Sequence, residues 1–529
     1  MATYRVIGPP GTGKSNTIKS YVSRAVTLHG AAAVAVCSLT RAAAAELGAR
    51  SLPIPRSNLG TLHAIAYRAL DHPEIGEDPK HLAIWNATAK PEYHISAGVD
   101  ASLEAWERDS SAEGDALLSA MNLLRNRRVP RELWPPPVAA FASHWQTWLS
   151  DGNLIDFTGL IERALAEVPT LPGIEALMLD EAQDSSALEI SMFQQWAAHC
   201  QISVAAGDSD QAIFAWRGGD PEAFRGMDVA DVRVLAQSYR LPHAVWEWAT
   251  AWISQCSQRE DAPFKPKDAQ GEVIHSTISM ADADAVAALA EEYTADGGDV
   301  MVLATCGYML EGVLAALRER ALPFANRFRR RRGDWNPLFY GGKGVGATAR
   351  LLALLRPLPE VWGDASRLWT REDIRTWGGA VFANLIDKAA LDQQPEDRPL
   401  SIEALLDILQ GDSKWWPWGT EPALLDAYQK QLLASKKRGM LYPLAVAGTR
   451  GARVLRDEPR ITIGTVHSVK GGEAKTVILA PDLSMSGGLE WGRPGKSRDG
   501  VRRVIYVGSS RASERLILLQ PSSPWAVSW

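Results

Sequence analysis

The chain has 529 residues, 46% hydrophobic and 22% charged, with 56 Lys and Arg against 62 Asp and Glu for a net charge of −6. That length implies several domains, and the composition is that of an ordinary globular protein, which excludes fibrous and low-complexity classes. The slightly acidic balance excludes nucleic-acid binding through bulk charge, so any such contact needs a local groove.

Tyr4-Arg5-Val6-Ile7 reads as a short strand running into Gly8-Pro9-Pro10-Gly11-Thr12-Gly13-Lys14-Ser15. The spacing G-x-x-x-x-G-K-S is a phosphate-cradling loop. Glycines let backbone N–H groups and a helix N-terminus face phosphate oxygens, Lys14 adds a point charge, and Ser15 offers a hydroxyl to Mg²⁺. Ile18, Tyr21, Val22, Ala25 and Val26 follow at helical spacing, closed by Gly30, and Ala32–Ser38 reads as a second buried strand. This alternation over residues 1–70 predicts a parallel α/β sheet. Residues 71–170 turn helical and Trp-containing, interrupted by Pro135-Pro136-Pro137, and read as an inserted subdomain. Leu177–Glu181 and Ile202–Ala206 return to apolar strands, so 171–228 completes the first core. A second α/β region is expected over 229–327 and 456–529, with strands at Val300–Leu303, Ile461–Ile463 and Thr476–Leu479. Residues 328–455 between them are mixed, helical and rich in Trp, Gly and Pro.

The four cysteines (Cys37, Cys200, Cys256, Cys306) form no C-x-x-C pair, which argues against a zinc or iron–sulfur centre and for a reducing compartment. No basic-then-apolar leader and no apolar run of membrane-spanning length is present, so a cytoplasmic protein without a membrane partner is expected.

Leu177–Glu181 ends in two carboxylates, Asp180 to hold Mg²⁺ and Glu181 to polarise an attacking water. With Ala182-Gln183-Asp184 it makes a D-E-x-Q-D pattern, and here the chain resembles the UvrD/Rep-type helicases of superfamily 1. The resemblance continues through Gly60-Thr61-Leu62-His63 and Gly207-Asp208-Ser209-Asp210-Gln211-Ala212-Ile213-Phe214-Ala215-Trp216-Arg217-Gly218. It then takes in Gln237-Ser238-Tyr239-Arg240, Thr465-Val466-His467-Ser468-Val469-Lys470-Gly471-Gly472-Glu473 and Tyr506-Val507-Gly508-Ser509-Ser510-Arg511-Ala512. The motifs stand in the family's order.

The resemblance implies two RecA-like P-loop NTPase cores with parallel sheets, each interrupted by a mainly helical insertion. It implies ATP and Mg²⁺ as ligands, with Gln211, Arg240 and Arg511 near the γ-phosphate, Tyr239 stacked on adenine and Glu473 on the ribose. It also implies single-stranded DNA and its junctions with duplex as partners, contacted by Leu39, Thr61, His63, Trp216, Arg217, Thr465 and His467. The expected activity is ATP-dependent translocation and 3′→5′ unwinding in replication, repair or recombination. A motor subunit for a partner nuclease and a nucleotide-gated DNA switch are the alternatives.

The sequence also departs from the family. Leu39 stands where the family has a stacking Phe, Ala42 replaces a Lys with Arg41 beside it, and Gly472 replaces a Leu. The family's adenine-reading segment is not expected before Gly8, so purine choice is expected to fall largely to Tyr239. No N-K-x-D supports a GTPase, and no appended nuclease module is expected after the strand Leu516–Leu519. Arg327 with Arg329-Arg330-Arg331-Arg332 reads either as a duplex-phosphate patch or as a solvated basic hinge. Trp415-Trp416-Pro417-Trp418 reads either as packing or as a strand-separating or partner-binding wedge.

Overall fold

Two all-parallel sheets organise the chain, and both contain buried apolar strand runs at 34–37, 177–179, 300–304 and 477–479, because helices cover both faces. A computed structural model describes residues 2–38, 52–96, 113–295, 297–326, 335–338 and 345–529. The first sheet holds β1 (Ala2–Ile7), β2 (Val34–Ser38), β3 (Leu59–Thr61), β4 (Ala176–Asp180), β5 (Ile202–Gly207) and β6 (Asp231–Val234), in the order β3-β2-β4-β5-β1-β6. The second holds β7 (Glu272–Ser279), β8 (Val300–Ala304), β9 (Phe324–Ala325), β10 (Ile461–Thr465), β11 (Ala474–Leu479) and β12 (Ala512–Gln520), in the order β7-β12-β11-β8-β10-β9. The two-core α/β architecture expected from the sequence is therefore present.

Strand order places the chemistry. Because β5 lies between β4 and β1, the C-terminal ends of these three strands deliver Asp180, Asp208 and Gly8 side by side. The Gly8 N–H donates to the Gly207 carbonyl at 2.9 Å, closing that edge. Parallel sheets bind ligands at this carboxyl edge, where crossovers diverge.

One boundary differs from the sequence reading. Residues 231–234 were expected to open the second core, yet β6 pairs in register with β1, Val232 beside Arg5 and Val234 beside Ile7. A four-residue, mostly exposed strand carries too little apolar pattern to reveal which sheet it extends. The helix Phe157–Glu167 is a second case. It falls in the expected insertion, but Leu160, Ile161 and Ala164 pack with Leu177, Leu179 and Phe193 of the first core.

Each insertion has its own core. In the first, Trp85, Met121, Phe141, Trp145 and Leu149 cluster, with Trp145 Nε1 donating to Asp156 at 2.9 Å and Arg125 pairing with the same carboxylate at 2.6 Å. In the second, Leu351, Trp369, Trp377, Leu405, Trp416 and Tyr428 cluster. The arginine run at 327 and 329–332 lies outside the described residues. No helix among the described residues is long and apolar enough to cross a membrane.

Trp145 is fully buried and satisfies one oxygen of Asp156. Trp145→Ala is expected to destabilise the first insertion by about 3–5 kcal/mol. Urea unfolding should show an earlier transition to which this subdomain contributes.

Candidate nucleotide and nucleic-acid site

The loop after β1 is shaped by two left-handed glycines, Gly11 (φ 72°) and Gly13 (φ 82°), the second leading directly into the helix Lys14–His29. Thr12 ties the turn by donating its N–H and its hydroxyl to the Pro9 carbonyl at 3.2 and 2.8 Å. The Lys14 ammonium folds back over the loop to the Gly8 carbonyl at 2.5 Å. A Cβ on Gly8 would stand 2.0 Å from Lys14 Cγ, so the lysine's path requires glycine there.

The segment after β6 is seated on this loop by backbone contacts. Ser238 Oγ donates to the Pro10 carbonyl at 2.8 Å, and the Tyr239 N–H donates to the Gly11 carbonyl at 2.8 Å. A Cβ on Gly11 would come within 2.4 Å of Arg240 Cβ, so glycine is required here for space as well as for φ. Tyr239 itself is 75% exposed beside the loop, presenting an open ring face. Arg240 Nε meets Glu473 Oε2 at 2.6 Å.

At the end of β4, Asp180 is buried and accepts from the Glu181 N–H at 2.9 Å. Glu181 takes the left-handed conformation (φ 56°), a strained state for a non-glycine residue, and its carboxylate is held by Gln183 Nε2 at 2.6 Å. Burial alone would raise the Glu181 carboxyl, but Lys14, Lys470, the Gln183 amide and Arg511 together hold it down at about 2. It therefore stays ionised at neutral pH. Burial pushes Asp184 up to about 6 despite Lys470, and burial with Asp210 pushes Asp208 up to about 6.

The second core reaches into this edge with two cations. Lys470 Nζ pairs with Asp184, lies 3.6 Å from Glu181 Oε2, and donates to the Gln211 carbonyl at 2.7 Å. Arg511 Nη2 donates to Gln211 Oε1 at 2.9 Å, and Gln211 Nε2 passes the chain on to Asp208 at 2.6 Å. Burial and the nearby Arg240 lower Arg511 to about 9. Lys14, Asp180, Glu181, Gln211, Arg240 and Arg511 are thus drawn to one cleft, with Gly8–Ser15 on its floor and Tyr239 and Glu473 on its rim. Ser15 and Asp180 offer only oxygen donors, which suits a hard divalent cation whose remaining ligands are phosphate and water. Among the described residues no group of three His, Cys, Asp or Glu side chains is arranged to hold a metal ion.

The expected DNA contacts are more dispersed. Thr61 caps the helix Leu62–Ala69, its Oγ1 accepting from Ala64 N at 3.1 Å. His63 Nδ1 lies 3.4 Å from Glu189, and burial lowers its imidazole. Trp216 and Arg217 sit half-buried on the turn Ala215–Arg217, with the indole 6.3 Å from the Phe214 ring and packed on the second core's apolar cluster. Thr465 and His467 are buried, and here their side chains meet protein. Thr465 Oγ1 accepts from Ser468 N at 3.2 Å, and His467 Nε2 lies 3.2 Å from the Ile213 carbonyl. Leu39 lies outside the described residues.

Sequence reasoning gave no role to Lys470, Gln183, Asp184, Asp208 or Ser238, although all stand inside motifs it quoted. The D-E-x-Q-D spacing was the available signal for Gln183 and Asp184, because a glutamine two residues past Glu181 can fold back onto it. Nothing local signals that Lys470 crosses to the first core.

Residues 2–229 match the UvrD/REP helicase N-terminal domain. Over 159 residues the chain is 26% identical to the ATP-dependent DNA helicase PcrA of Staphylococcus aureus (strain Mu50), a match covering 28% of this chain and 22% of that protein. The ATP-dependent DNA helicase UvrD2 of Mycobacterium bovis aligns over 579 positions at 23% identity, covering 99% of this chain and 76% of that protein. The UvrD2 of Mycobacterium tuberculosis (strain CDC 1551) aligns to the same extent.

Gly11→Ala should weaken binding of a fluorescent ATP analogue by about tenfold or more, since the methyl meets Arg240 and the φ is unfavourable. Lys470→Met removes a charge that holds the Glu181 carboxyl down, so that carboxyl rises. Its base form is then lost at a higher pH, and the acidic limb of the pH–kcat profile should move upward relative to the unsubstituted protein.

Proposed function

We propose, for this chain of the UvrD/Rep type of superfamily 1 helicase, that it hydrolyses ATP to move 3′→5′ along single-stranded DNA and to open duplex ahead of it. The observation that carries the reading is the pair of contacts made by Arg511 and Lys470 across to Gln211, Asp184 and Glu181 of the first core. The catalytic edge is complete only when both cores contribute, so nucleotide state is coupled to their separation.

In this reading the Gly8–Ser15 loop and Lys14 bind the phosphates, and Tyr239 stacks on the base. Glu181, held ionised, orients water towards the γ-phosphate, while Gln211 relays its position to Arg511. Arg240 and Arg511 stabilise charge that develops on the transferring group, the arginine-finger role. Ser15 and Asp180 would hold Mg²⁺, which neutralises phosphate charge when bound. Trp216, next to the seam, is the candidate platform for a DNA base, a sequence-tolerant mode of grip. Single strands and single–double-strand junctions in replication, repair or recombination are the proposed substrates. The names of PcrA and UvrD2 as ATP-dependent DNA helicases support this class.

ATP turnover should rise steeply with single-stranded DNA, and Lys14→Ala should abolish it. Arg511→Ala should lower kcat by about 10³-fold while nucleotide binding survives. Turnover indifferent to DNA would refute the motor. Duplexes with 3′ tails should be unwound and 5′-tailed ones left intact, run with ATP and GTP in parallel; the reverse preference would refute the polarity. Translocation on a single strand without unwinding would favour a motor that serves a partner nuclease.

A further inference from the structure

The Trp-rich segment of the second insertion forms the 3₁₀ helix Gly411–Trp418, and its period decides which side chains point out. With three residues per turn, positions 412, 415 and 418 stack along one ridge and 413 and 416 along another. Ser413 and Trp416 are buried, Trp416 against Trp377 and Tyr428. Asp412, Trp415 and Trp418 are exposed, Trp415 by 76% and Trp418 by 50%. One indole of the cluster therefore packs the core, and two stand in solvent, Trp415 one turn from the Asp412 carboxylate.

Asp412 and Trp415 of the ridge line a cavity of about 340 Å³ together with Gly419, Asp426, Lys430 and Gln431. The Gln431 carbonyl accepts from the N–H of Phe382, a further exposed aromatic residue. Lys430 is engaged with Asp426 at 2.6 Å, which leaves Asp412 as the uncompensated charge of the wall. Among the described residues neither Asp412 nor Trp415 has an ion-pair, ring or cation partner. A carboxylate beside an open indole face is the chemistry that recognises a cationic side chain, by ion pair and by cation–π attraction together. Phosphate of a duplex is disfavoured by the same carboxylates.

We propose that the Asp412–Trp415–Trp418 ridge is a docking site for a basic segment of a protein partner, which seats a Lys or Arg between Asp412 and Trp415 and an apolar neighbour on Trp418. The site is independent of the nucleotide cleft and goes beyond the motor reading.

The test is a display selection of tryptophan-free random 12-residue peptides against the full chain, followed by fluorescence anisotropy with the enriched peptides. Enrichment of Lys- or Arg-bearing peptides is expected, with binding weakened about tenfold or more by Trp415→Ala and by Asp412→Asn. Single-stranded-DNA-stimulated ATP turnover and the unfolding temperature of both variants should match those of the parent, which separates lost docking from lost folding. No enrichment, enrichment of neutral or acidic peptides, or basic peptides that bind both variants as tightly as the parent would overturn the proposal. So would self-association of the chain that disappears in Trp415→Ala, or duplex DNA affinity that falls with that substitution, since either assigns the ridge to another occupant.

Discussion

Everything in the cleft depends on charges from one core being buried against polar groups of the other. Lys470 and Arg511 leave water at the edge of the second sheet and are compensated chiefly by Asp184, Glu181 and Gln211 of the first. A buried cation left without its partner is strongly unfavourable, whereas a paired one in good geometry roughly balances its desolvation. The seam is therefore near neutral in net energy but sensitive to any ligand that changes its charge. Triphosphate is such a ligand. The lowered Arg511 and raised Asp184 are both groups whose charged forms are disfavoured by burial where they stand.

The first sheet makes that seam possible by order alone. Placing β5 between β4 and β1 aligns the phosphate loop, Asp180 and the Asp208–Gln211 turn on one edge. The segment 237–240 then crosses from the first sheet to the second while fastened to Pro10 and Gly11. The connection between the cores thus passes directly over the glycine-rich loop. Arg240 shares the consequence, because it touches Glu473 of the second core while its backbone is seated on the first.

Legibility from sequence followed the range of the interaction. The phosphate loop, the β4 carboxylates and the alternation of strands and helices are encoded within a few residues each, and they were readable. Strand β6 was not, because a short exposed edge strand has no apolar signature of its own sheet. The role of Lys470 was hidden for another reason: its partner Asp184 is 286 residues away, and no local pattern records the pairing. Thr465 and His467 show the converse limit. Their motif was plain, but whether a side chain faces a ligand or a neighbouring turn is decided by packing. The tryptophans at 415, 416 and 418 left packing and wedge both open, and the helical period separates them: one indole in, two out.

The central claim, that one nucleotide is gripped by both cores, is tested most directly by the distance between them. The native cysteines are buried, so single dyes can be placed on Lys19→Cys of the first core and Lys475→Cys of the second, both exposed. Energy transfer between them should change when ADP with a γ-phosphate transition-state mimic is added, and Arg511→Ala should abolish that change while retaining nucleotide binding. Transfer that is the same with and without bound nucleotide would contradict the account.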